Sequence, residues 1–333
     1  MSQTIQTHAI RIHQHGGPEV MKWEEVDVPP PAPDEVRLTT TAAGLNYIDT
    51  YHRSGMYKIP LPSVIGREAA GVVESVGANV SEFKTGDRVA YASSPIGSYA
   101  EVRLMPAERL VKIPDDITDQ QAASMMLKGM TAQYLLRRTY CVQPGDVILF
   151  HAAAGGVGLI LGQWAKHLGA TVIGTVGSDE KIAIAKAHGF DHVINYRTDD
   201  FAARVADITN GAKCRVVYDG VGKDTFTKSL DCVAPLGMMV SFGAASGAVP
   251  PVYVGDLTSR GSLYLTRPTL DTYVAKRADL IATATDLFEM VTRGIVKIEI
   301  NQTYALKDAA QAHRDLEARK TSGSTVLIPC AIR

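Results

Sequence analysis

The chain has 333 residues, and at about 150 residues per domain that length predicts two domains. Hydrophobic residues make up 46% and charged residues 21%, the composition of a soluble globular protein with a sizeable core, which excludes disorder as the main theme. Lys plus Arg is 34 against 35 Asp plus Glu, a net charge of −1, and no long run of one sign occurs, which argues against a nucleic-acid partner held by bulk charge.

The four cysteines, Cys141, Cys214, Cys232 and Cys330, are widely spaced and form no C-x-x-C or Cys/His cluster, so neither a metal ribbon nor a disulfide framework is expected. The first ten residues are polar and contain no apolar core of a signal peptide. No apolar stretch approaches the ~20 residues that span a bilayer. The expectation is a cytoplasmic, reduced protein with no membrane partner.

From Ala9 to about Pro114 the chain is rich in short β-branched runs cut by Gly, Pro and Asp, such as those at 35–39, 70–76 and 87–91, which predicts a small β-rich barrel or sandwich. The proline-rich segment 29–33 reads as a stiff extended connector. Helical spacing begins at 119–138, with Ala122, Met126, Met130 and Leu135 among its apolar positions. Strand and helix then alternate: strand 147–150, helix 156–167, strand 171–176, helix 181–188, strand 192–195, and strands at 215–218 and 237–242. Repeated β-α-β units with apolar strands imply a doubly wound parallel sheet covered by helices on both faces. Helices at 278–293 and 307–320 and a closing strand at 324–328 are too little for a domain of their own, and are expected to pack back onto the N-terminal β region.

The strongest local signal is Ala152-Ala153-Ala154-Gly155-Gly156-Val157-Gly158, after one predicted strand and opening a helix. A dinucleotide site needs a sharp turn, bare backbone beside a pyrophosphate, and a helix packed tightly on the sheet, so small residues recur at fixed spacing. Ala153 takes the first place, Gly155 the second and Gly158 the third. The tip of the second strand separates the two nicotinamide dinucleotides, because an acid about 20 residues on would hold a ribose 2′-hydroxyl and repel a 2′-phosphate. The tip is Gly177 and Ser178, small and neutral; Lys181 follows on the first helical turn, and Tyr196 closes the third strand. These residues favour NADPH, while Asp179 is the rival ribose ligand if the strand ends two residues later.

The sequence resembles the zinc-free quinone oxidoreductases of the medium-chain dehydrogenase/reductase superfamily, the zeta-crystallin-like group, over nearly its whole length and nearest to the bacterial NADPH-using members. The resemblance is carried by His15-Gly16-Gly17-Pro18, Gly44-Leu45-Asn46-Tyr47-Ile48-Asp49-Thr50-Tyr51, Gly86-Asp87-Arg88-Val89, segment 150–158, Tyr218-Asp219-Gly220-Val221-Gly222, segment 237–243 and Thr266-Arg267-Pro268. It implies an α/β fold with a GroES-like β-rich catalytic domain (1–126), a Rossmann NADPH-binding domain (127–267) and a C-terminal return (268–333). It also implies a homodimer through the Rossmann sheets and a cofactor in the cleft between domains.

Carried onto matching positions, the resemblance places Asn46 and Tyr51 on the nicotinamide side, with Tyr57 at the substrate mouth and Lys128 and Thr131 beginning the helix that faces the cofactor. Gly155, Gly156, Val157 and Gly158 take the pyrophosphate; Gly177, Ser178, Lys181 and Tyr196 surround the 2′-phosphate; Phe242, Gly243, Arg267 and Arg319 close over nicotinamide and phosphates. Zinc-dependent relatives place a cysteine near Asn46 and a histidine in the Gly66-Arg67-Glu68 segment. Here the two positions hold an amide and a guanidinium, so no metal is expected.

A quinone is a strong electron acceptor, so positioning can supply most of its catalysis. In this reading Tyr51 and Asn46 hydrogen-bond near the acceptor oxygen or the nicotinamide amide, and Tyr57 shapes the mouth. The nearer rival is an enal or enoyl reductase on the same scaffold, which must also protonate an α-carbon. The other is the RNA-binding or structural role associated with zeta-crystallins, against which the neutral charge argues. His8, His13, His15, His151 and His167 read as structural or surface groups.

Overall fold

The computed structural model describes residues 3–330. Two compact units divide the chain. One takes it as far as Met130, together with Val274–Phe288 and the chain from Ile298 onward; the other is Thr131–Tyr273 with Glu289–Lys297.

The first unit is β-rich. Strands Ile5–Ile12 and Met21–Val28 form an antiparallel hairpin with Ile5 opposite Val28 and Ile12 opposite Met21. The larger sheet runs in the order Ile300–Ala305, Ser324–Ile328, Glu35–Leu45, Glu68–Val76, Arg88–Tyr91 and Val111–Lys112, and Val102–Pro106 also pairs with Glu35–Leu45. Its centre is Glu35–Leu45, whose Val36, Leu38 and Leu45 enter a core with Ile10, Ile12, Ile65 and Met105. Gly71 lets the central strands approach: a Cβ there would stand 2.5 Å from the Thr39 carbonyl oxygen. The chain's last strand enters the same sheet, Thr325 opposite Leu45 and Leu327 opposite Ala43. Leu327 and Leu306 are fully buried in that core, so the distant C-terminal segment belongs to the β unit through apolar packing.

The second unit holds a six-stranded parallel sheet in the order His192–Asn195, Thr171–Val176, Val147–His151, Cys214–Asp219, Val233–Ser241 and Tyr264–Thr266. Ile148, Leu149, Phe150, Val172 and Ile173 are almost wholly buried, as strands covered on both faces must be. Strand order reverses beside Val147–His151, and ligands of open α/β sheets bind at such a switch point, outside the carboxyl ends of the strands. This is a Rossmann-type doubly wound sheet.

Two expectations need correction, and one helix was not foreseen. The helix expected over 119–138 is α-helical only over Asp119–Tyr134 and ends in a π-helical turn, Leu135–Thr139. There the Leu135 carbonyl accepts the buried Tyr218 hydroxyl at 3.0 Å and the Tyr140 N–H at 3.3 Å, and such competition opens a helical ladder. Lys128 and Thr131 therefore lie in the second half of this helix rather than at its start. The helix Tyr47–Ser54 was not anticipated, although it carries Asn46 before it and a left-handed Gly55 (φ 83°) after it, both recognisable end signals.

Candidate active site

In the second unit, strand Val147–His151 leads into the small-residue loop and then into helix Gly156–His167. Ala152 is left-handed (φ 61°), a conformation that costs a residue with a Cβ and marks a tight turn. The Ala153 N–H anchors the turn on the Thr175 carbonyl at 2.9 Å. A Cβ on Gly158 would lie 2.4 Å from the Ala153 carbonyl oxygen, whereas one on Gly155 would meet only the Ala152 carbonyl oxygen, at 3.1 Å. Gly158 is thus required by the packing of helix on turn, and Gly155 keeps the approach to the backbone bare. No side chain caps this helix and no acid stands in its first turn, so its positive end is available to an anion.

Beside the loop stand the tips of the next two strands. The space over Gly177 is bounded by the Tyr196 hydroxyl, 3.2 Å from where a Cβ would be, and Lys181 lies in the first turn of helix Glu180–Ala187. Asp179, the rival ribose ligand, accepts a hydrogen bond from Asn195 Nδ2 at 2.8 Å. On the other side of the switch point, Arg267 donates to Ser241 Oγ (3.1 Å) and to the carbonyl oxygens of Ser241 (3.1 Å) and Gly243 (3.2 Å). It thereby fixes the segment carrying Phe242. Gly243 has to be glycine, since its Cβ would stand 2.5 Å from the Gly220 carbonyl oxygen.

Behind this surface a polar network is sealed from solvent. His151 bonds Thr175 Oγ1 and Ser229 Oγ, both at 2.8 Å, and Asp219 accepts from Thr225 and Ser229. Burial pushes the His151 pKa down, with Asp219 opposing. Serine, histidine and aspartate come together here, but the aspartate binds the serine and every member is buried. Its role is to tie the carboxyl ends of the strands beneath the loop.

In the first unit, Asn46 precedes helix Tyr47–Ser54 and is buried. Its Nδ2 donates to Glu68 Oε2 at 2.8 Å and to the Gly44 carbonyl at 3.4 Å. Glu68, fully buried, also accepts from Lys128 Nζ (3.0 Å) and from the Leu127 N–H (2.8 Å). A Cβ on Gly44 would lie 2.4 Å from Glu68 Oε2, so the bare strand position makes room for the carboxylate. With both amide protons committed, Asn46 offers a further partner only its oxygen, an acceptor.

A second buried chain of hydrogen bonds holds the same helix. Asp49 Oδ2 accepts the Asn46 backbone N–H and the Tyr99 hydroxyl, both at 2.9 Å. The Tyr99 hydroxyl lies 3.2 Å from His313 Nε2, and Arg53 donates to His313 Nδ1 at 2.9 Å and to the Glu317 carboxylate at 2.7 and 3.1 Å. Arginine only donates, so His313 carries its proton on Nε2 and donates a hydrogen bond to the Tyr99 oxygen, whose own proton faces Asp49. Every bond in the chain therefore points from Arg53 towards Asp49. Burial pushes Asp49 up to about 7, although the Asn46 N–H and the Tyr99 hydroxyl pull it down. Burial pushes His313 down to about 3, with Arg53 adding to the effect.

Of the two tyrosines, Tyr51 is buried and Tyr57 is exposed. Tyr51 is 8% exposed and Tyr57 37%; their rings meet edge to face at 5.3 Å, and the Tyr57 N–H donates to the Tyr51 carbonyl at 3.1 Å.

The residues expected to bind a dinucleotide thus fall in two sets. Gly155, Gly156, Val157, Gly158, Gly177, Ser178, Lys181, Tyr196, Phe242, Gly243, Arg267 and Thr131 lie in the second unit, and Asn46, Tyr51, Tyr57, Lys128 and Arg319 in the first. Arg319 is exposed and left-handed (φ 61°), following helix Ala309–Glu317. Sequence reasoning missed Glu68, Asp49, Tyr99 and His313, which lie far apart in the chain. For Asp49 alone a local signal existed, an acid three residues after a capping asparagine.

Residues 32–115 match the family model described as alcohol dehydrogenase GroES-like domain, and residues 156–281 match the one described as zinc-binding dehydrogenase. The chain is 54% identical to a quinone oxidoreductase of Pseudomonas aeruginosa over 96% of this chain and 99% of that one. It is 49% identical to a 2-haloacrylate reductase of Burkholderia sp over 96% and 98%. The crystal structure of Escherichia coli quinone oxidoreductase complexed with NADPH superposes with a TM-score of 0.95 at 49% identity, covering 97% of this chain and 100% of that one. The zinc of the second family description finds no ligand set: Asn46 turns its amide protons to Glu68 and the Gly44 carbonyl, and among the described residues no three His, Cys, Asp or Glu side chains gather to hold a metal. On these relationships the chain belongs to the quinone oxidoreductase family of the medium-chain dehydrogenase/reductase superfamily.

Proposed function

We propose that this chain is an NADPH:quinone oxidoreductase, catalysing NADPH + H⁺ + quinone → NADP⁺ + hydroquinone without zinc. The observation that carries the reading is the strand-tip pocket, in which Gly177 keeps open the space beside the Tyr196 hydroxyl, Lys181 stands on the next turn and Asp179 is engaged by Asn195. The bare end of helix Gly156–His167 fits a pyrophosphate, and high identity to quinone oxidoreductases supplies the substrate class. When bound, the reduced nicotinamide supplies two electrons and a proton.

The chain's own residues bind and orient. Gly156, Val157 and Gly158 present backbone N–H groups to phosphate, Gly155, whose own N–H is given to the Ala152 carbonyl at 2.9 Å, keeps the approach bare, and Ser178, Lys181 and Tyr196 hold the 2′-phosphate. Arg267 keeps Phe242 and Gly243 in place, and Thr131 and Arg319 complete the cofactor set. Asn46 accepts an N–H from the nicotinamide carboxamide rather than donating to a quinone oxygen, because Glu68 and Gly44 take its protons. Lys128 supplies a buried positive charge beside Glu68. Tyr51 and Tyr57 form the acceptor side, Tyr51 through its hydroxyl and Tyr57 as the wall at the mouth. In this reading function divides as 1–126 catalytic, 127–267 dinucleotide-binding and 268–333 returning to the first region.

The test is initial-rate NADPH oxidation with a small para-quinone, an enal and a 2-haloacrylate at matched concentrations. Faster quinone turnover is expected. Preference for 2-haloacrylate, the substrate named for the Burkholderia relative, or for the enal would keep the cofactor site and replace the acceptor. Replacing Tyr51 by Phe is expected to lower kcat with NADPH affinity intact; unchanged kcat and KM would remove its hydroxyl from the reaction.

The same proposal makes the protein a cytoplasmic homodimer. No helix among the described residues is long and apolar enough to cross a membrane, and the four cysteines are free, which suits a reducing compartment. The edge strand Tyr264–Thr266 exposes Tyr264 (62%) and Leu265 (37%). An apolar edge strand invites pairing with a second copy. Sedimentation should give a dimer that Tyr264→Lys with Leu265→Lys converts to monomer; a monomeric wild-type protein would remove the dimer from the proposal.

A further inference from the structure

Asp179 occupies the N-cap of helix Glu180–Ala187, a place from which an aspartate usually accepts a hydrogen bond from first-turn N–H groups. Here its backbone is already helical (φ −65°, ψ −32°) and its side chain makes no cap bond. The carboxylate is turned instead to the neighbouring strand, where Asn195 Nδ2 donates to it at 2.8 Å. Asn195 ends strand His192–Asn195 and is 6% exposed. Its Oδ1 accepts the Arg197 N–H at 3.1 Å, so the amide has one orientation, with its NH₂ towards the carboxylate. The Asn195 main-chain carbonyl accepts the N–H groups of Thr198 at 3.2 Å and Asp199 at 2.9 Å. One buried side chain thus ties the tip that precedes Lys181 to the tip that carries Tyr196.

This chain therefore holds the components of both kinds of dinucleotide pocket. An acid at the strand tip is what binds a ribose 2′-hydroxyl and repels a 2′-phosphate; a lysine and a tyrosine hydroxyl are what bind the phosphate. We propose that Asn195 is the positioning residue that decides between them: it restrains the Asp179 carboxylate away from the ribose and holds Tyr196 at Gly177, so that the pocket accepts a 2′-phosphate. The inference rests on the NADPH reading above.

The test measures equilibrium affinities for NADPH and NADH separately, by cofactor fluorescence with no quinone present. Asn195→Ala should weaken NADPH relative to NADH by about tenfold, the scale of one hydrogen bond to a charged group. Adding Asp179→Ala to it should return the ratio towards wild type, because no carboxylate is left to restrain. An unchanged ratio in Asn195→Ala, an equal loss for both cofactors, or no recovery in the double variant would overturn the proposal. If Asn195→Ala does not fold, Asn195→Leu, of similar size but unable to donate to the Asp179 carboxylate, must show the same fall of NADPH relative to NADH, and an unchanged ratio overturns it. Lys181→Ala separates the two readings: it should weaken NADPH and spare NADH. If it affects neither, the 2′-phosphate is held elsewhere, and the NADPH pocket and the role of Asn195 fall together.

Discussion

Asp49 and His313 lie at two positions of one buried hydrogen-bond chain and make opposite contributions to the pH dependence of stability. Asp49 is raised to about 7, so between its unfolded value of about 4 and 7 the native state holds a proton that the unfolded chain has released, and stability falls as pH rises. His313 is lowered to about 3; between that and its unfolded value of about 6.5 the unfolded chain holds the extra proton, and stability rises with pH. Urea melts of Asp49→Asn should therefore show a variant that gains on the wild type from pH 5 to 7.5; a constant difference would mean that Asp49 is ionised throughout. Glu68 calls for a different variant. Glu68→Ala leaves the Lys128 ammonium buried without its carboxylate, and should cost about 3–5 kcal/mol of stability; a loss below about 1 kcal/mol would mean that Lys128 reaches solvent in the native state. Glu68 and His313 were not legible as functional in the sequence, because each acts through partners dozens to hundreds of positions away, whereas Asp49 has a local partner in the Asn46 N–H.

Elements differ in how far their ends were written locally. Helix Gly156–His167, strand Thr171–Val176, strand His192–Asn195 and strand Ser324–Ile328 were readable to the residue, since each apolar run or helical period is bounded on at least one side by Gly, Asp or Pro. The hairpin of Ile5–Ile12 and Met21–Val28 was not: its outward positions are polar and charged, and its register is set by packing on the first unit's core. Tyr264–Thr266 was too short to announce itself. Within the phosphate turn, Gly158→Ala would drive a methyl group to 2.4 Å from the Ala153 carbonyl oxygen. Only backbone movement relieves that clash, so dinucleotide affinity should drop at least about tenfold, a loss of 1.4 kcal/mol, with the rest of the fold intact by circular dichroism. Unchanged affinity would show that the turn tolerates a side chain and that its glycine is not required for binding.

At the scale of the whole molecule, the sequence legibly divided into a β-rich part and a parallel α/β part, because short strands between turns and repeated β-α-β units leave different periodicities. The strand order of the sheet and the entry of the last strand beside Ala43–Leu45 were settled by tertiary packing. Leu327→Ala tests that last link: removing a fully buried side chain should cost about 2–5 kcal/mol, and a smaller loss would mean that the strand is held by its backbone bonds alone. In the proposed function the second unit selects a 2′-phosphorylated dinucleotide whose electrons go to a quinone. The most direct measurement is kcat/KM for NADPH and for NADH with one para-quinone, with hydroquinone formation followed alongside cofactor oxidation. One hydroquinone per NADPH and a preference for NADPH of at least about tenfold, or 1.4 kcal/mol, are expected. Equal use of NADH, or cofactor oxidation without hydroquinone, would contradict the proposed function.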